Sequence, residues 1–199
     1  MSPRTPDENA IVRERAAAHL LTTALKVFTS RGYHSSSMAE LAREAGVSKG
    51  LAYHYFESKE ALLIALAEQR LKEWSVLIEK LESIDKPDER LSFLIHFTLR
   101  ELRERTDELR FYNSLYLNEE GARAIKKAMK KSKLQFDRLF RAEQKLFEDL
   151  GFKNAALEAI LFRSTLQGIS FEYMLAPQDY PIDEVQRALL TKYRRPHEK

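Results

Sequence analysis

The stretch that decides the fold is residues 37–59, which read Ser-Met-Ala-Glu-Leu-Ala-Arg-Glu-Ala-Gly-Val-Ser-Lys-Gly-Leu-Ala-Tyr-His-Tyr-Phe-Glu-Ser-Lys. Ser37 is followed three residues later by Glu40, which is the capping-box pattern that begins a helix. Apolar residues at helical spacing accompany it: Met38, Leu41, Ala42 and Ala45. Gly46 suits a tight turn because glycine adopts positive φ at little cost, and Ser48 is a favourable N-cap for a second helix. The stretch therefore predicts two short helices joined by a turn.

Outside this stretch, apolar residues also recur at helical spacing, and no segment alternates with the period of a strand. The expected helices cover approximately residues 12–30, 38–45, 49–55, a long segment from 58, and then 89–103, 107–116, 120–150, 155–175 and 182–193. Gly32, Pro87 and Gly151 indicate breaks between them. We therefore predict an all-α fold, with a three-helix domain in residues 1–57 and a larger helical domain in residues 58–199.

Composition limits the class of protein. The chain has 199 residues, no Cys and a net charge of +3. The lack of Cys excludes a disulfide framework and thiolate metal sites, and it fits a reducing cytosol. No apolar run approaches the ~18 residues of a membrane span, and residues 1–10 lack the apolar segment of a signal peptide. We therefore expect a cytoplasmic protein with no membrane partner.

The second short helix carries an unusual set of polar and aromatic residues: Lys49, Gly50, Tyr53, His54 and Tyr55. A lysine near a helix start can reach guanine O6 and N7 or a phosphate, and glycine lets the backbone approach DNA closely. Tyr hydroxyls and a His ring nitrogen can donate to phosphate oxygens. Lys59 adds a charge in the first turn of the next helix, where free amides also favour an anion. The pattern predicts a helix-turn-helix whose second helix enters the major groove of double-stranded DNA; the alternative is two ordinary packed helices.

Residues 45–60 resemble the signature of the tetracycline-repressor (TetR) family. The family pattern is roughly Ala-Gly-Val-Ser-x-Gly-x-Leu-Tyr-x-His-Phe-x-x-Lys-Glu, and this chain reads Ala-Gly-Val-Ser-Lys-Gly-Leu-Ala-Tyr-His-Tyr-Phe-Glu-Ser-Lys-Glu. The specific resemblance covers about residues 12–66. Two positions depart from it: Tyr55 replaces the common His, and Ala52 replaces a large aliphatic residue, so we expect Leu51 to fill the buried seam.

The resemblance implies DNA contacts at eight positions. They comprise phosphate contacts at Tyr53, Tyr55 and Lys59, contacts to bases or the groove wall at Lys49, Gly50 and His54, and helix caps that meet the DNA backbone at Ser37 and Ser48. The resemblance also implies that residues 58–199 bind a small-molecule effector and form a homodimer through helices 155–175 and 182–193. The alternative is that these two helices simply close the core of one monomer.

Aromatic residues at helical spacing are most often core, but the resemblance implies that some line an apolar effector pocket. The candidates are Trp74, Phe93, Phe97, Phe111, Tyr112, Tyr116, Phe136, Phe140, Phe162 and Tyr173. His96 lies on an apolar helix and is expected to be a core histidine and not a metal ligand. The basic run from Lys126 to Lys133 indicates the solvated face of a long helix or, alternatively, a second surface for DNA or an acidic partner.

Three functions are consistent with these features. The leading hypothesis is a ligand-responsive transcription regulator, a repressor released from a pseudo-palindromic operator by a small apolar effector. An enzyme with an aromatic active site is the second, but the sequence contains no nucleophile motif, metal-ligand set or phosphate-binding Gly loop. We therefore expect no catalytic activity, no cofactor and no metal. A third hypothesis keeps DNA binding but makes the protein a chromosome-organising adaptor.

Overall fold

Ten α-helices make up residues 6–193, the range that the computed structural model describes, with side chains described from residue 13 onwards except at 135 and 136. The helices are α1 (Pro6–Arg31), α2 (Met38–Glu44), α3 (Lys49–Tyr55), α4 (Lys59–Glu82), α5 (Pro87–Glu104), α6 (Thr106–Leu115), α7 (Glu119–Lys131), α8 (Lys133–Asp149), α9 (Ala155–Leu175) and α10 (Ile182–Tyr193). No strand occurs within that range, which confirms the prediction of an all-α fold. The helix expected over 120–150 is two helices, because the chain leaves helical geometry at Ser132 (φ −105°, ψ 25°).

The helices form two compact units. The first unit comprises the described residues up to Gln69 together with Arg110–Lys131, and the second comprises Arg70–Leu109 together with residues 132–193. We expected a boundary after residue 57 and no return of the chain to the N-terminal domain. The difference arises because the apolar face of α7 is buried in the core of the first unit.

The core of the first unit draws on six helices. Its buried residues include Leu20 and Phe28 of α1, Leu41 of α2, Ala52 of α3, Leu62 and Leu66 of α4, Phe111 and Leu115 of α6, and Ala124 and Ile125 of α7. The Phe28 ring has its centroid 5.1 Å from that of Tyr33 and 5.8 Å from that of Phe111. Because burial of one large apolar side chain contributes about 1.5–3 kcal/mol, α6 and α7 add substantially to the stability of this unit.

Polar contacts also connect α7 to the rest of the first unit. The Tyr33 hydroxyl donates to Glu120 Oε1 at 2.5 Å, and burial of the phenol together with the nearby Glu120 carboxylate raises the pKa of Tyr33. Lys127 pairs with Glu60 at 2.6 Å. Exposed ion pairs contribute about 0–1 kcal/mol, so the Lys127–Glu60 pair specifies how α7 is placed more than it stabilises it.

The core of the second unit is built on aromatic rings from α8, α9 and α10. Phe147, Phe162 and Tyr193 are at most 1% exposed, and their ring centroids lie 5.1–5.7 Å apart in edge-to-face arrangements. Such pairs contribute about 0.5–1.5 kcal/mol each beyond the burial of area. Helix α5 packs on the same core through Ile95 and Leu99. The rings therefore fill the interior of the second unit.

One buried carboxylate lies where α8 meets α9. Glu143 is 8% exposed, and Arg163 donates a hydrogen bond to it while its guanidinium lies 4.4 Å from the centroid of the Phe140 ring. Burial raises the pKa of Glu143 to about 7, against the opposing effect of the Arg163 charge. The pair thus adds one polar contact to a mainly apolar interface.

Gly121, in the first turn of α7, lies against the backbone of α6. A Cβ at this position would lie 2.5 Å from the carbonyl oxygen of Leu115, and backbone cannot move aside as a flexible side chain can. We expect Gly121→Ala to lower the free energy of unfolding by about 1–3 kcal/mol, the usual cost of overpacking, in chemical denaturation. Gly50→Ala is the matched control, because no atom lies within 4 Å of its added Cβ and alanine is the better helix former. Wild-type stability of Gly121→Ala would contradict this close packing.

Candidate nucleic-acid interface

The capping box that begins α2 is formed. The Glu40 amide donates to Ser37 Oγ at 3.3 Å, and the Ser37 amide donates to Glu40 Oε2 at 2.9 Å. Helix α2 then buries Met38, Leu41 and Ala42. The expected start and apolar face of the first short helix are therefore confirmed.

Between α2 and α3 the chain turns at Gly46, whose φ is +66°. This left-handed conformation costs glycine little and strains residues that carry a Cβ. The Val47 amide donates to the carbonyl of Ala42 at 2.9 Å, and Ser48 caps α3 by accepting from the Leu51 amide at 3.1 Å. The predicted helix-turn-helix is thus present, with both of its serine caps in place.

Helix α3 buries a single residue, Ala52, which is 0% exposed, whereas Leu51 is 37% exposed. The expectation that Leu51 fills the seam at Ala52 is wrong, because neighbouring helical residues point about 100° apart and Ala52 occupies the inward position. Six of the eight expected DNA-contacting residues are exposed: the caps Ser37 and Ser48, and Lys49, Gly50, Tyr53 and His54 of α3. Helix α3 therefore packs on the core of the first unit mainly through Ala52, and its polar groups face outward from that unit.

The two tyrosines of α3 have different surroundings. Tyr53 is 44% exposed, and Lys49 Nζ lies 5.9 Å from the centroid of its ring. Tyr55 is partly buried against the core of the first unit, and its ring centroid lies 5.6 Å from that of His54. Tyr55 is thus partly a packing residue, a difference that the sequence pattern did not reveal.

Lys59 is held by the backbone that precedes α2. Its ammonium donates to the carbonyl of Tyr33 at 2.8 Å and to that of Ser36 at 3.0 Å, and it lies 4.3 Å from the centroid of the Tyr33 ring. The resemblance predicts a phosphate contact for Lys59 and gives no indication of these bonds. A signal was available, since carbonyls just beyond a helix C-terminus lack partners and attract cations. Lys59 therefore ties the start of α4 to the connection between α1 and α2.

The ten aromatic candidates for an effector pocket are divided between the two units. Three belong to the first unit (Phe111, Tyr112 and Tyr116) and six to the second (Trp74, Phe93, Phe97, Phe140, Phe162 and Tyr173), while the side chain of Phe136 lies outside the described residues. Phe162 and Phe111 are core residues, at 1% and 6% exposure. Both rings pack in the hydrophobic core of their own unit.

Phe93 and Phe97 do line a cleft, which has a volume of about 530 Å³ and lies between α5 and α10. Their ring centroids are 6.0 Å apart, and the Arg100 guanidinium lies 5.6 Å from that of Phe97. His96 also lines this cleft. It is exposed, with Nδ1 at 2.6 Å from the Ser92 carbonyl oxygen, so the prediction of a core histidine is wrong.

Helix α9 carries a row of exposed apolar residues. The row consists of Leu157, Ile160, Leu161, Phe171 and Leu175, each about half exposed or more, with exposed Ser164 and Gly168 between them. Their spacing of three and four residues places them on one face of the helix. Helix α9 thus has one face in the core of the second unit and a second apolar face on its surface.

Among the described residues, no group of three or more His, Cys, Asp or Glu side chains is arranged to hold a metal ion. Within residues 6–193, no helix combines the length and apolar character needed to cross a membrane.

Residues 20–66 match the family model described as bacterial regulatory proteins of the tetR family. The HTH-type transcriptional regulator YuxN of Bacillus subtilis (strain 168) is 51% identical over 47 residues, which cover 24% of this chain and 16% of that protein. The HTH-type transcriptional regulator BetI of Rhizobium meliloti (strain 1021) is 41% identical over 90 residues, 45% of this chain and 43% of that protein. The chain thus spans less than half the length of these two relatives.

A solved structure of the transcriptional regulator FadR from Bacillus subtilis, in complex with stearoyl-CoA, has a similar fold. Its TM-score is 0.67, with 88% of this chain and 96% of that chain covered at 20% sequence identity. Together, the fold and the outward-facing α3 define an all-helical protein with an N-terminal helix-turn-helix. Residues 20–66 thus match the TetR family, and the arrangement of the helices is similar to that of FadR.

The contacts of Lys59 predict a structural effect that Lys49 lacks. Lys59→Met keeps the apolar stem but removes the ammonium that donates to the carbonyls of Tyr33 and Ser36. The Tyr33 carbonyl still accepts from the Ser36 hydroxyl. We expect a loss of about 1–3 kcal/mol in the free energy of unfolding, measured by chemical denaturation. Lys49→Met, at an exposed position, should stay within about 0.5 kcal/mol of the wild type. Equal stability of the two variants would show that Lys59 does not hold this connection.

Proposed function

We propose that the protein is a ligand-responsive, homodimeric transcription regulator that binds double-stranded DNA in the cytoplasm. The observation that carries this proposal is the outward-facing set of Lys49, Gly50, Tyr53 and His54 on α3. Helix α3 has seven residues and is therefore about 10 Å long at 1.5 Å per residue. An α-helix with its side chains is about 10–12 Å in diameter, so it fits a major groove that is about 12 Å wide.

Some residues of the interface would position α3 on the DNA, and others would recognise the base sequence. Tyr53 and the hydroxyl of Tyr55 would donate to phosphates, which fixes the orientation of α3 without reading sequence. Lys49 and His54 would face base edges or the groove wall, and Gly50 would let the backbone come close. Ser37 and Ser48 would place the starts of α2 and α3 at the DNA backbone. The third N–H of Lys59 remains a candidate phosphate donor, since the two known bonds leave one proton of the ammonium.

Dimerisation would place two copies of α3 on one face of DNA. The exposed apolar row of α9 supports this step, because exposed apolar patches of this kind mark interaction surfaces. A two-fold axis would then give two recognition helices about 34 Å apart, one turn of DNA, and a pseudo-palindromic operator. A bound operator would block transcription, so we infer that the regulator is a repressor.

Ligand control is supported by FadR, which was solved with stearoyl-CoA, and by the cleft at Phe93 and Phe97. An effector that binds better to a dimer with unsuitably spaced α3 helices would release the operator. A coupling of about 1–3 kcal/mol would weaken DNA binding roughly 5- to 150-fold.

Selection from a pool of random duplexes tests the DNA-binding proposal. We expect enrichment of a pseudo-palindrome with half-site centres about 34 Å apart. Lys49→Ala should weaken binding to that site by about 1–3 kcal/mol in fluorescence anisotropy, and its effect on the salt slope separates a phosphate contact, which lowers the slope by about one, from a base contact. Lys153→Ala, at an exposed residue between α8 and α9, is the control and should bind as the wild type does. Failure to bind any duplex at low salt would refute the proposal.

Analytical ultracentrifugation tests the dimer. Ile160 is 51% exposed within the apolar row of α9, and Ile160→Glu would bury a charge in the proposed interface, which is strongly unfavourable. We expect this variant to sediment as a monomer while the wild type and Lys153→Glu sediment as dimers. A dimeric Ile160→Glu would exclude this face as the interface without affecting the assignment of α3.

A further inference from the structure

A second cleft in the second unit lies where the end of α4, the first turns of α5 and the middle of α8 meet. Its volume is about 250 Å³, and it shares no lining residue with the cleft at Phe93 and Phe97. Leu81, Leu94 and Leu146 form part of its lining and are at most 5% exposed. These side chains provide an apolar floor beneath charged walls.

The charged walls are predominantly basic. Cations outnumber carboxylates among the lining residues, which include Arg90, Arg138, Arg141 and Lys145 against Glu82 and Glu143. Glu143 is compensated by Arg163, which donates a hydrogen bond to it. The walls therefore favour an anion.

Three of these cations already have partners at the rim. Arg138 donates to Glu82, and both Arg90 and Lys145 pair with Asp149, at 2.7 and 2.6 Å. These pairs tie α4 and α5 to α8 on either side of the cleft. Their charges are largely compensated and do not by themselves require a ligand.

Arg141 has no partner of opposite charge among the described residues, and one nitrogen of Arg90 has no hydrogen-bond acceptor. Arg141 is exposed and makes no ion pair or hydrogen bond with the described side chains and backbone, and it lies one turn from Arg138 on the same face of α8. Arg90 is only 15% exposed, and its Nε is buried without an acceptor. This nitrogen is closed to a ligand because it is buried, so Arg141 is the uncompensated cation that an anion in the cleft would meet.

We propose that this cleft binds an acid group, a carboxylate or a phosphate monoester, that is attached to a short aliphatic chain. The guanidinium of Arg141 binds the acid group, since planar guanidinium groups match carboxylate and phosphate oxygens in two-pronged geometry. The aliphatic chain lies on Leu81, Leu94 and Leu146. Because ligand cavities usually measure about 300–1,000 Å³, a cleft of about 250 Å³ takes only the acid group and the first carbons of a longer molecule.

Isothermal titration calorimetry of the full chain, without DNA and in a buffer free of phosphate, tests the ligand class. Hexanoate and hexyl phosphate have the acid group and the chain, hexanol has the chain alone, and inorganic phosphate has the acid group alone. We expect one or both of the first two to bind. Hexanol should bind at least about tenfold more weakly because it loses a charge-assisted hydrogen bond, and inorganic phosphate should bind more weakly because it loses the apolar contact of the chain. Comparison of hexanoate with hexyl phosphate identifies the acid group. Equal binding of hexanol, or no binding of either acid, would overturn the proposal.

Two variants locate the site. Arg141→Gln should weaken binding of the preferred acid about tenfold or more, and Ala142→Leu should weaken it by filling the cleft that Ala142 lines. The matched control is Arg187→Gln, an exposed arginine of α10 that pairs only within its own helix, with Glu184, and it should bind as the wild type does. Circular dichroism and thermal unfolding check that each variant is folded. Undiminished binding by Arg141→Gln, or an equal loss in Arg187→Gln, would overturn the proposal, and neither result bears on the binding of DNA.

Discussion

Helices α2 and α3 have only seven residues each, and helices of this length are marginal in water without tertiary packing. Their position therefore depends on the shared core of the first unit, in which α3 contributes one fully buried side chain, Ala52. The large surfaces of that core come from other helices, above all from Phe28, Leu62 and Phe111. A small inward contact leaves most of α3 outside, and this is what allows so many polar groups of one short helix to face solvent.

Local signals predicted the helix-turn-helix well because its chemistry is local. The capping box of Ser37 and Glu40, the positive φ of Gly46 and the cap at Ser48 each follow from residue types a few positions apart. What the sequence could not predict is long-range. Nothing near residue 120 indicates that α7 packs against the N-terminal helices. An amphipathic pattern indicates that one face of a helix is buried, but it does not identify the helices against which that face packs.

The sequence predicted only part of the candidate site, because residue types show what a side chain can bind but not which groups the fold brings near it. Residue types identified the polar surface of α3, but they could not separate Tyr53, which is exposed, from Tyr55, which is partly packed. Lys59 has the chemistry to meet a phosphate and also the chemistry to bind carbonyls, and only the fold shows that the carbonyls of Tyr33 and Ser36 are within reach. The aromatic residues beyond the helix-turn-helix are ambiguous in the same way. Phe162 fills a core and Phe93 lines a cleft, although both have helical spacing.

The first unit is assembled from two separate stretches of chain, residues 6–69 and 110–131. Proteins are made from the N-terminus and their domains fold as units during synthesis. The surface that would read DNA therefore emerges from the ribosome before Phe111 and Ile125, which complete the core beneath it, have been translated. For the same reason, a gene segment that ends within α4 omits Phe111 and Ile125, so recombination that exchanges only this segment would leave part of the core of the first unit behind.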